Sequence, residues 1–320
     1  MKFSIITPVY NREDCVTRCL ESVIANLKWG ITLEHIIVDD GSKDDTPAII
    51  QHYLKQYHHI RFIKFDQNRG TNAARNAAIS AARGAYCIFL DSDDYFVFNA
   101  ISIINNIVET FKYLHYCFAP NDMMDYYRCN PLTKSEKTCE LKYEDFLYER
   151  IIGDFIHVIF TETLKKFPFD EELRIYEGVF FKRFYREAGR LLFVPQVVTI
   201  RERDRSDSVT RDVLLRDKRT IFKGLKSKEL LMNWFEDDLM SHPDGRIIVS
   251  KTLLSIMELN LLLGNYEEAF CCNKRIRSMN IETTPIYLEI IRKLHLGWLY
   301  YFFRKMYVVI RYDVLKSKLS

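Results

Sequence analysis

Apolar positions in the first hundred residues fall into two alternating patterns. Phe3-Ser4-Ile5-Ile6, Ile36-Ile37-Val38, Arg61-Phe62-Ile63-Lys64-Phe65 and Tyr86-Cys87-Ile88-Phe89-Leu90 are short runs of strand type. Between them, Cys15, Val16, Cys19, Leu20, Val23, Ile24 and Leu27 share one helical face. Asp45 or Thr46 caps a second helix with Pro47 at its first position, and Ala-rich Asn72 to Arg83 forms a third, closed by Gly84. Strands alternating with amphipathic helices predict an α/β fold with a mainly parallel sheet and crossover helices. The run 86–90 reads as its central strand, buried on both faces. Ligands of such sheets sit beyond the carboxyl ends of the strands, so the residues just after each run are the candidates for chemistry.

From Asp122 to Thr138 the chain is polar and aromatic without period, which predicts a long loop near the site. A second mixed segment runs to Arg211. Beyond it the pattern is helical, with Ile256, Leu259, Leu262 and Leu263 stacked before a turn at Gly264-Asn265 and another helix from Tyr266. The expected organisation is a catalytic domain at 1–210, made of halves 1–99 and 100–210, followed by a helical region at 211–320.

Over 320 residues, 48% apolar and 28% charged content suffices for one sizeable core and a smaller second one. No apolar stretch approaches the roughly 18 residues of a membrane span, and the chain enters strand pattern without a signal peptide, so a cytoplasmic protein is expected. The eight cysteines form no CxxC ladder and read as reduced thiols, and the eight histidines lack metal-ligand spacing for zinc. Net charge is +3, but residues 289–320 hold seven basic against two acidic side chains, leaving the remainder slightly acidic. That balance argues against nucleic acid as a partner. Neither GxGxxG nor GxxxxGK[ST] occurs, which excludes dinucleotide and P-loop chemistry.

Four segments follow the predicted strands: Thr7-Pro8-Val9-Tyr10-Asn11, Asp39-Asp40-Gly41-Ser42, Asn68-Arg69-Gly70 with Ala74-Arg75-Asn76, and Asp91-Ser92-Asp93-Asp94. They converge if the strands are parallel neighbours. Adjacent carboxylates at the end of an apolar strand repel unless a cation neutralises them, and oxygen ligands select a hard divalent ion, Mn²⁺ or Mg²⁺.

In this order and spacing the segments resemble the donor-binding half of family 2 glycosyltransferases of the GT-A fold. The likeness is strongest over Lys2 to Asn99, weaker to Arg211 and absent beyond. It implies an inverting, metal-dependent hexosyltransferase that moves a sugar from a UDP-sugar to a hydroxyl of a saccharide acceptor. Relatives of this kind act on lipid-linked acceptors in bacterial surface polysaccharide assembly, as for O-antigen or capsule, at the cytoplasmic face of the inner membrane. By the resemblance, Asp93 is the main metal ligand, Asp91 faces ribose and metal, Asp94 supports them and Ser92 lies in the donor site. Pro8, Val9 and Tyr10 would lie against the uracil, and Asp39 would accept its imide N–H. Asn68 and Arg75 would line the donor site.

The acceptor half departs from the pattern. Phe169-Asp170-Glu171-Glu172 and Ile175-Tyr176-Glu177-Gly178 resemble the segment whose acidic pair supplies the general base, but its second member is Gly178 here. Glu177 is then the candidate base, ahead of Asp170 and Glu171. Arg205 stands where the family often has a metal- or diphosphate-contacting His, and an Arg can hold a phosphate oxygen. The tail from Leu294 to Leu319 mixes Trp298, Tyr300, Tyr301, Phe302, Phe303 and Tyr307 with basic residues, suiting either an interfacial segment on an anionic leaflet or a packed terminal helix. Two competing functions stand beside transfer. A sugar-phosphate nucleotidyltransferase usually opens on a glycine-rich loop that Thr7 to Arg12 lacks. A catalytically impaired sugar-nucleotide-binding subunit is kept open by Gly178.

Overall fold

The computed structural model describes residues 1–27, 30–201, 217–281, 283–308 and 310. They divide into two compact units, Met1–Arg205 and Ser206–Ser320.

The first unit opens as β1 (Phe3–Val9), α1 (Val16–Asn26), β2 (Leu33–Asp39), α2 (Thr46–Gln56), β3 (Ile60–Lys64), α3 (Thr71–Ala81) and β4 (Tyr86–Phe89). It continues through β5 (Tyr95–Phe96), α4 (Ala100–Thr110), β6 (His115–Phe118), α5 (Met124–Cys129), β7 (Cys139–Lys142), α6 (Tyr143–Leu147) and β8 (Ile156–Phe160). It ends with α7 (Thr161–Lys166), α8 (Gly178–Ala188), β9 (Arg190–Val194) and β10 (Thr199–Ile200). Eight strands form one sheet in the order β3-β2-β1-β4-β8-β6-β9-β7. The first four are parallel, β8 runs antiparallel to both β4 and β6, and β6 pairs parallel with β9. β5 and β10 make a separate antiparallel pair.

Every residue of β1 and β2 is buried, which explains their unbroken apolar runs: helices cover both faces. One face packs Phe3, Ile5 and Ile88 against Ile101 and Ile104 of α4. The other packs Val9 and Ile37 against Val16, Leu20 and Ile50. Among the polar exceptions, Glu34 is the most fully paired. Burial alone would raise the Glu34 carboxyl, but hydrogen bonds from Ser4 Oγ, Arg61 Nη1 and the Arg83 amide, each 2.6 Å, hold it below the usual range.

The segment expected to be loop from Asp122 to Thr138 contains a 3₁₀ turn at Asn121–Met123 and the helix α5. Six residues are too few to display a helical period. The helix is fixed by one aromatic anchor, Tyr127, whose buried ring lies 5.1 Å from Phe155 and 5.0 Å from Phe193.

The second unit is helical: α9 (Lys218–Met240), α10 (Pro243–Leu263), α11 (Tyr266–Met279), α12 (Ile286–Lys293) and α13 (Gly297–Val308). Asp217 caps α9 by accepting the Thr220 amide at 2.7 Å, and Gly264 ends α10 with φ 87°, a left-handed turn that glycine takes without strain. Met257, Leu261, Ala269 and Leu288 form a core there. Among the described residues no helix is long and apolar enough to cross a membrane.

Candidate active site

Because β1, β2 and β4 are parallel neighbours, their carboxyl ends bring Tyr10, Asp39 and Asp91 to one edge of the sheet. Val9 stands opposite Asp39 in register, and the Asp40 amide donates to the Val9 carbonyl at 2.8 Å. The loops after β1 and β2 are stitched together: the Asn11 amide donates to Ser42 Oγ, and the Lys43 amide to Asn11 Oδ1, both at 2.8 Å. Pro8 and Val9 are buried beneath them, while Tyr10 is 39% exposed and available for stacking.

Asp39 is wholly buried. Its Oδ1 accepts the Ser42 amide at 3.0 Å, whereas its Oδ2 has no partner among the described residues. A buried carboxylate oxygen left open is costly, so it marks a place for a donor from a ligand. Asp40, in contrast, is consumed by the fold: its two oxygens take the amides of Arg69 and Gly70 at 2.6 and 2.8 Å, and burial pushes its carboxyl up against those bonds. Gly41 has φ +77°, and a Cβ there would meet the Gln67 carbonyl carbon at 2.7 Å, so only glycine lets these two loops touch. Asn68 is exposed in the adjoining loop.

The acidic cluster turns tightly, the Asp94 amide donating to the Asp91 carbonyl at 3.0 Å. Ser92 and Asp94 are buried, Asp93 is half-buried and the Asp91 side chain is 51% exposed. Arg18 binds the Asp93 main-chain carbonyl, at 3.1 Å. Arg75 reaches Asp91 Oδ1 at 3.3 Å and Glu177 Oε1 at 3.3 Å. Both contacts are longer than a tight charge-assisted bond of about 2.7–2.9 Å. Oxygen-only donors with that loose counter-ion fit a hard divalent cation at Asp91 and Asp93.

One guanidinium thus joins the strand-end cluster to the acceptor segment. The polar face of α3 holds that segment: Asn76 Nδ2 donates to the Phe169 carbonyl at 2.8 Å, its Oδ1 accepts the Phe169 amide at 2.9 Å, and Asn72 Nδ2 donates to the Asp170 carbonyl at 2.9 Å. Glu171 pairs with Arg69 at 3.0 Å, and Asp170 Oδ1 accepts the Glu172 amide at 2.9 Å, so both are occupied in shaping the segment. Glu177 sits at the N-cap of α8, where the helix dipole favours a carboxylate. A Cβ on Gly178 would meet nothing within 4 Å.

Asp91, Asp94, Arg75 and Glu177 line a cavity of about 470 Å³. Phe89, Phe146, Phe155, Phe181 and Tyr185 give it aromatic wall, with isoleucines, His157, Asp154 and Lys182 between them, and Arg201 also lines it. Arg201 is clamped by both oxygens of Asp122, at 2.8 and 2.9 Å, and by Asp154 at 3.2 Å. None of these aromatics, nor the Arg201 clamp, was identified in the sequence; they come from α6, α8, β4 and the approach to β8, with no shared spacing. Arg205 lies outside the described residues.

Residues 4–140 match the family model described as Glycosyl transferase family 2. A poly(ribitol-phosphate) beta-glucosyltransferase of Bacillus spizizenii is 43% identical over 96 residues, covering 30% of this chain and 15% of that protein. A GalNAc(5)-diNAcBac-PP-undecaprenol beta-1,3-glucosyltransferase of Campylobacter jejuni is 26% identical over 304 residues, 91% of this chain and 93% of that one. Among solved structures, S. aureus TarS in complex with UDP-GlcNAc overlays with a TM-score of 0.59 at 17% identity, covering 98% of this chain and 92% of that one. A Pyrobaculum calidifontis mannosyltransferase in complex with GDP-Man and Mn²⁺ gives 0.56 at 13% identity, covering 99% and 88%. The overlays show a GT-A fold, a large and mostly parallel sheet with a helical C-terminal region, in agreement with the topology above.

Proposed function

We propose, from the premise that residues 4–140 carry the family 2 glycosyltransferase pattern on a GT-A fold, that this chain is an inverting glycosyltransferase. Its donor is a UDP-sugar and its acceptor a saccharide hydroxyl. The observation that carries the reading is the Arg75 bridge, which puts Asp91 of the strand-end cluster and Glu177 of the cavity on one side chain.

Uracil stacks on Tyr10 and donates its imide N–H to the open Oδ2 of Asp39. The diphosphate lies over the acidic turn, where Asp93 and Asp91 would hold a divalent cation, which when bound would supply charge neutralisation for the departing diphosphate. The sugar ring of the acceptor packs on the aromatic walls of the cavity. Its hydroxyl attacks the anomeric carbon opposite the departing UDP, and Glu177 Oε takes the proton. Arg75 holds the Glu177 carboxylate by an Nη1–Oε1 contact at the wall of the cavity. Arg201, rigid between Asp122 and Asp154, is a fixed cation at the rim.

Similarity to an enzyme named for an undecaprenol-linked acceptor favours a lipid-linked acceptor here, in bacterial surface polysaccharide assembly. An anionic membrane leaflet then suits α13, whose Trp298, Phe302, Phe303 and Tyr307 are all more than half exposed. A panel of nucleotide sugars, assayed for nucleoside diphosphate release with and without Mn²⁺ and acceptor, tests the reading. Metal-dependent UDP release supports it. Pyrophosphate exchange in its place would point to nucleotidyl transfer, and tight binding without release to a binding subunit.

A further inference from the structure

The sequence offers no zinc spacing, yet the sheet assembles a ligand set. His115 and Cys117 lie two residues apart on β6 and so project from one face, and Cys117 stands directly opposite His157 on the antiparallel neighbour β8. His115 Nε2 is 3.0 Å from His157 Nδ1, and Cys117 Sγ is 3.8 Å from the same nitrogen. All three ligand atoms lie within 4.8 Å of one another. Bonds of about 2.0 Å to nitrogen and 2.3 Å to sulfur put tetrahedral ligand atoms roughly 3.3–3.6 Å apart, a spacing these three reach with small side-chain shifts.

Every member is buried, and His115 Nδ1 has no hydrogen-bond partner among the described residues. The two rings are held from behind, His157 stacked on Phe181 at 4.2 Å and His115 on Tyr185 at 5.3 Å. Packing therefore fixes the ligand directions before any ion arrives. His157 also lines the 470 Å³ cavity, which provides an entry path and a place for a water as fourth ligand. Two imidazoles and a thiolate form a borderline-soft set that takes Zn²⁺ or Co²⁺ in preference to Mg²⁺.

We propose that His115, Cys117 and His157 form a second metal site, specific for an ion of the Zn²⁺ class and separate from the aspartate cluster. Binding releases one proton, from the Cys117 thiol, whose sulfur bonds the ion as thiolate. The proton now shared between His115 Nε2 and His157 Nδ1 moves to the other nitrogen of the ring that carries it, freeing both lone pairs. Burial keeps both imidazoles neutral, the form that ligates.

The test uses the purified full chain, stripped with a chelator and titrated with Co²⁺. A thiolate-to-cobalt charge-transfer band should appear, saturate at a single equivalent and vanish on adding Zn²⁺. It should be lost in Cys117→Ser and in His157→Gln, and kept in Asp93→Ala and in the Cys271→Ser, Cys272→Ser double variant. Zinc should raise the thermal transition of the wild type and leave that of Cys117→Ser unmoved. Should either ligand variant fail to fold, X-ray absorption of the zinc-loaded wild type decides: two imidazoles and one sulfur are expected. Absence of the band in folded wild type, its survival in Cys117→Ser, or an all-oxygen shell would overturn the site.

Discussion

Asp39 and Asp40 are adjacent carboxylates with opposite fates, and only their partners tell them apart. Asp40 spends both oxygens on the Arg69 and Gly70 amides, while Asp39 keeps Oδ2 open in a fully buried position. Changing Asp39 to Asn replaces an acceptor by an amide that either presents an N–H to the uracil imide or flips away from it. An unsatisfied buried pair costs about 1–3 kcal/mol, so KM for a UDP-sugar should rise roughly 5- to 150-fold with the fold intact. An unchanged KM in Asp39→Asn would remove the base-reading role. The sequence pointed to Asp39 as the donor contact, but the loop that Asp40 holds, some thirty positions away, was not legible in it. Arg75 was likewise expected at the donor site; its second contact, to Glu177, is supplied by folding.

At the scale of the element, the N-terminus of α8 concentrates the catalytic question. Glu177 occupies the cap, and the next residue, where the resembled family places its base, is a glycine with open space around its missing Cβ. Glu177→Gln should lower kcat by about 10²–10⁴ while leaving KM for the donor nearly unchanged, since the group acts on the acceptor proton. Adding Gly178→Asp to that variant puts a carboxylate one position along the helix in unobstructed space, and partial recovery of kcat is expected. Full activity in Glu177→Gln would move the base elsewhere. Residues 169–178 were legible as a candidate segment because they resemble a pattern. Its anchoring was not legible: Asn72 and Asn76 of α3 grip it from nearly a hundred residues upstream, and an Ala-rich helix gives no sign of that. The cavity aromatics were hidden for a related reason, since each occupies an ordinary core position of its own element.

On the scale of the whole molecule, periodicity revealed the sheet half well, because covered parallel strands write continuous apolar runs. It revealed the mixed β8–β6–β9 half poorly, because β6 is His-Tyr-Cys-Phe with no aliphatic residue and β8 sets His157 within its apolar run. The exposed aromatic face of α13 gives a test for a membrane partner. Arg304 is tied to Glu258 at 2.8 Å, Arg292 lies over Phe270 and Lys293 acts on Glu289, so the exposed Lys305 of α13 is the cation offered to lipid headgroups beside these aromatics. Sedimentation with anionic vesicles should fall in a Trp298→Ala, Phe302→Ala variant and weaken with salt, whereas equal retention on neutral and anionic vesicles would argue against charge-assisted docking. Buried histidines in both halves of the sheet make stability depend on pH. Burial depresses His35 and His157 to about 3 and drives His115 well below its ordinary value. The unfolded chain takes up protons on these rings below about pH 6.5, and the folded chain refuses them until far lower pH, so stability falls as pH drops through that window. His35 alone should remove about 1 kcal/mol between roughly pH 6.5 and 5.5. Glu34 acts in a separate, lower window: its depressed carboxyl stabilises the fold above the unfolded carboxyl range, and that contribution is lost as pH falls through its folded value. Urea midpoints measured from neutral pH downward should therefore decline in two stages. A His35→Gln variant, which removes one titrating ring and keeps a polar partner for Thr7, should be less stable at neutral pH yet show a shallower first stage. A slope unchanged by that substitution would mean that His35 is already charged in the folded protein.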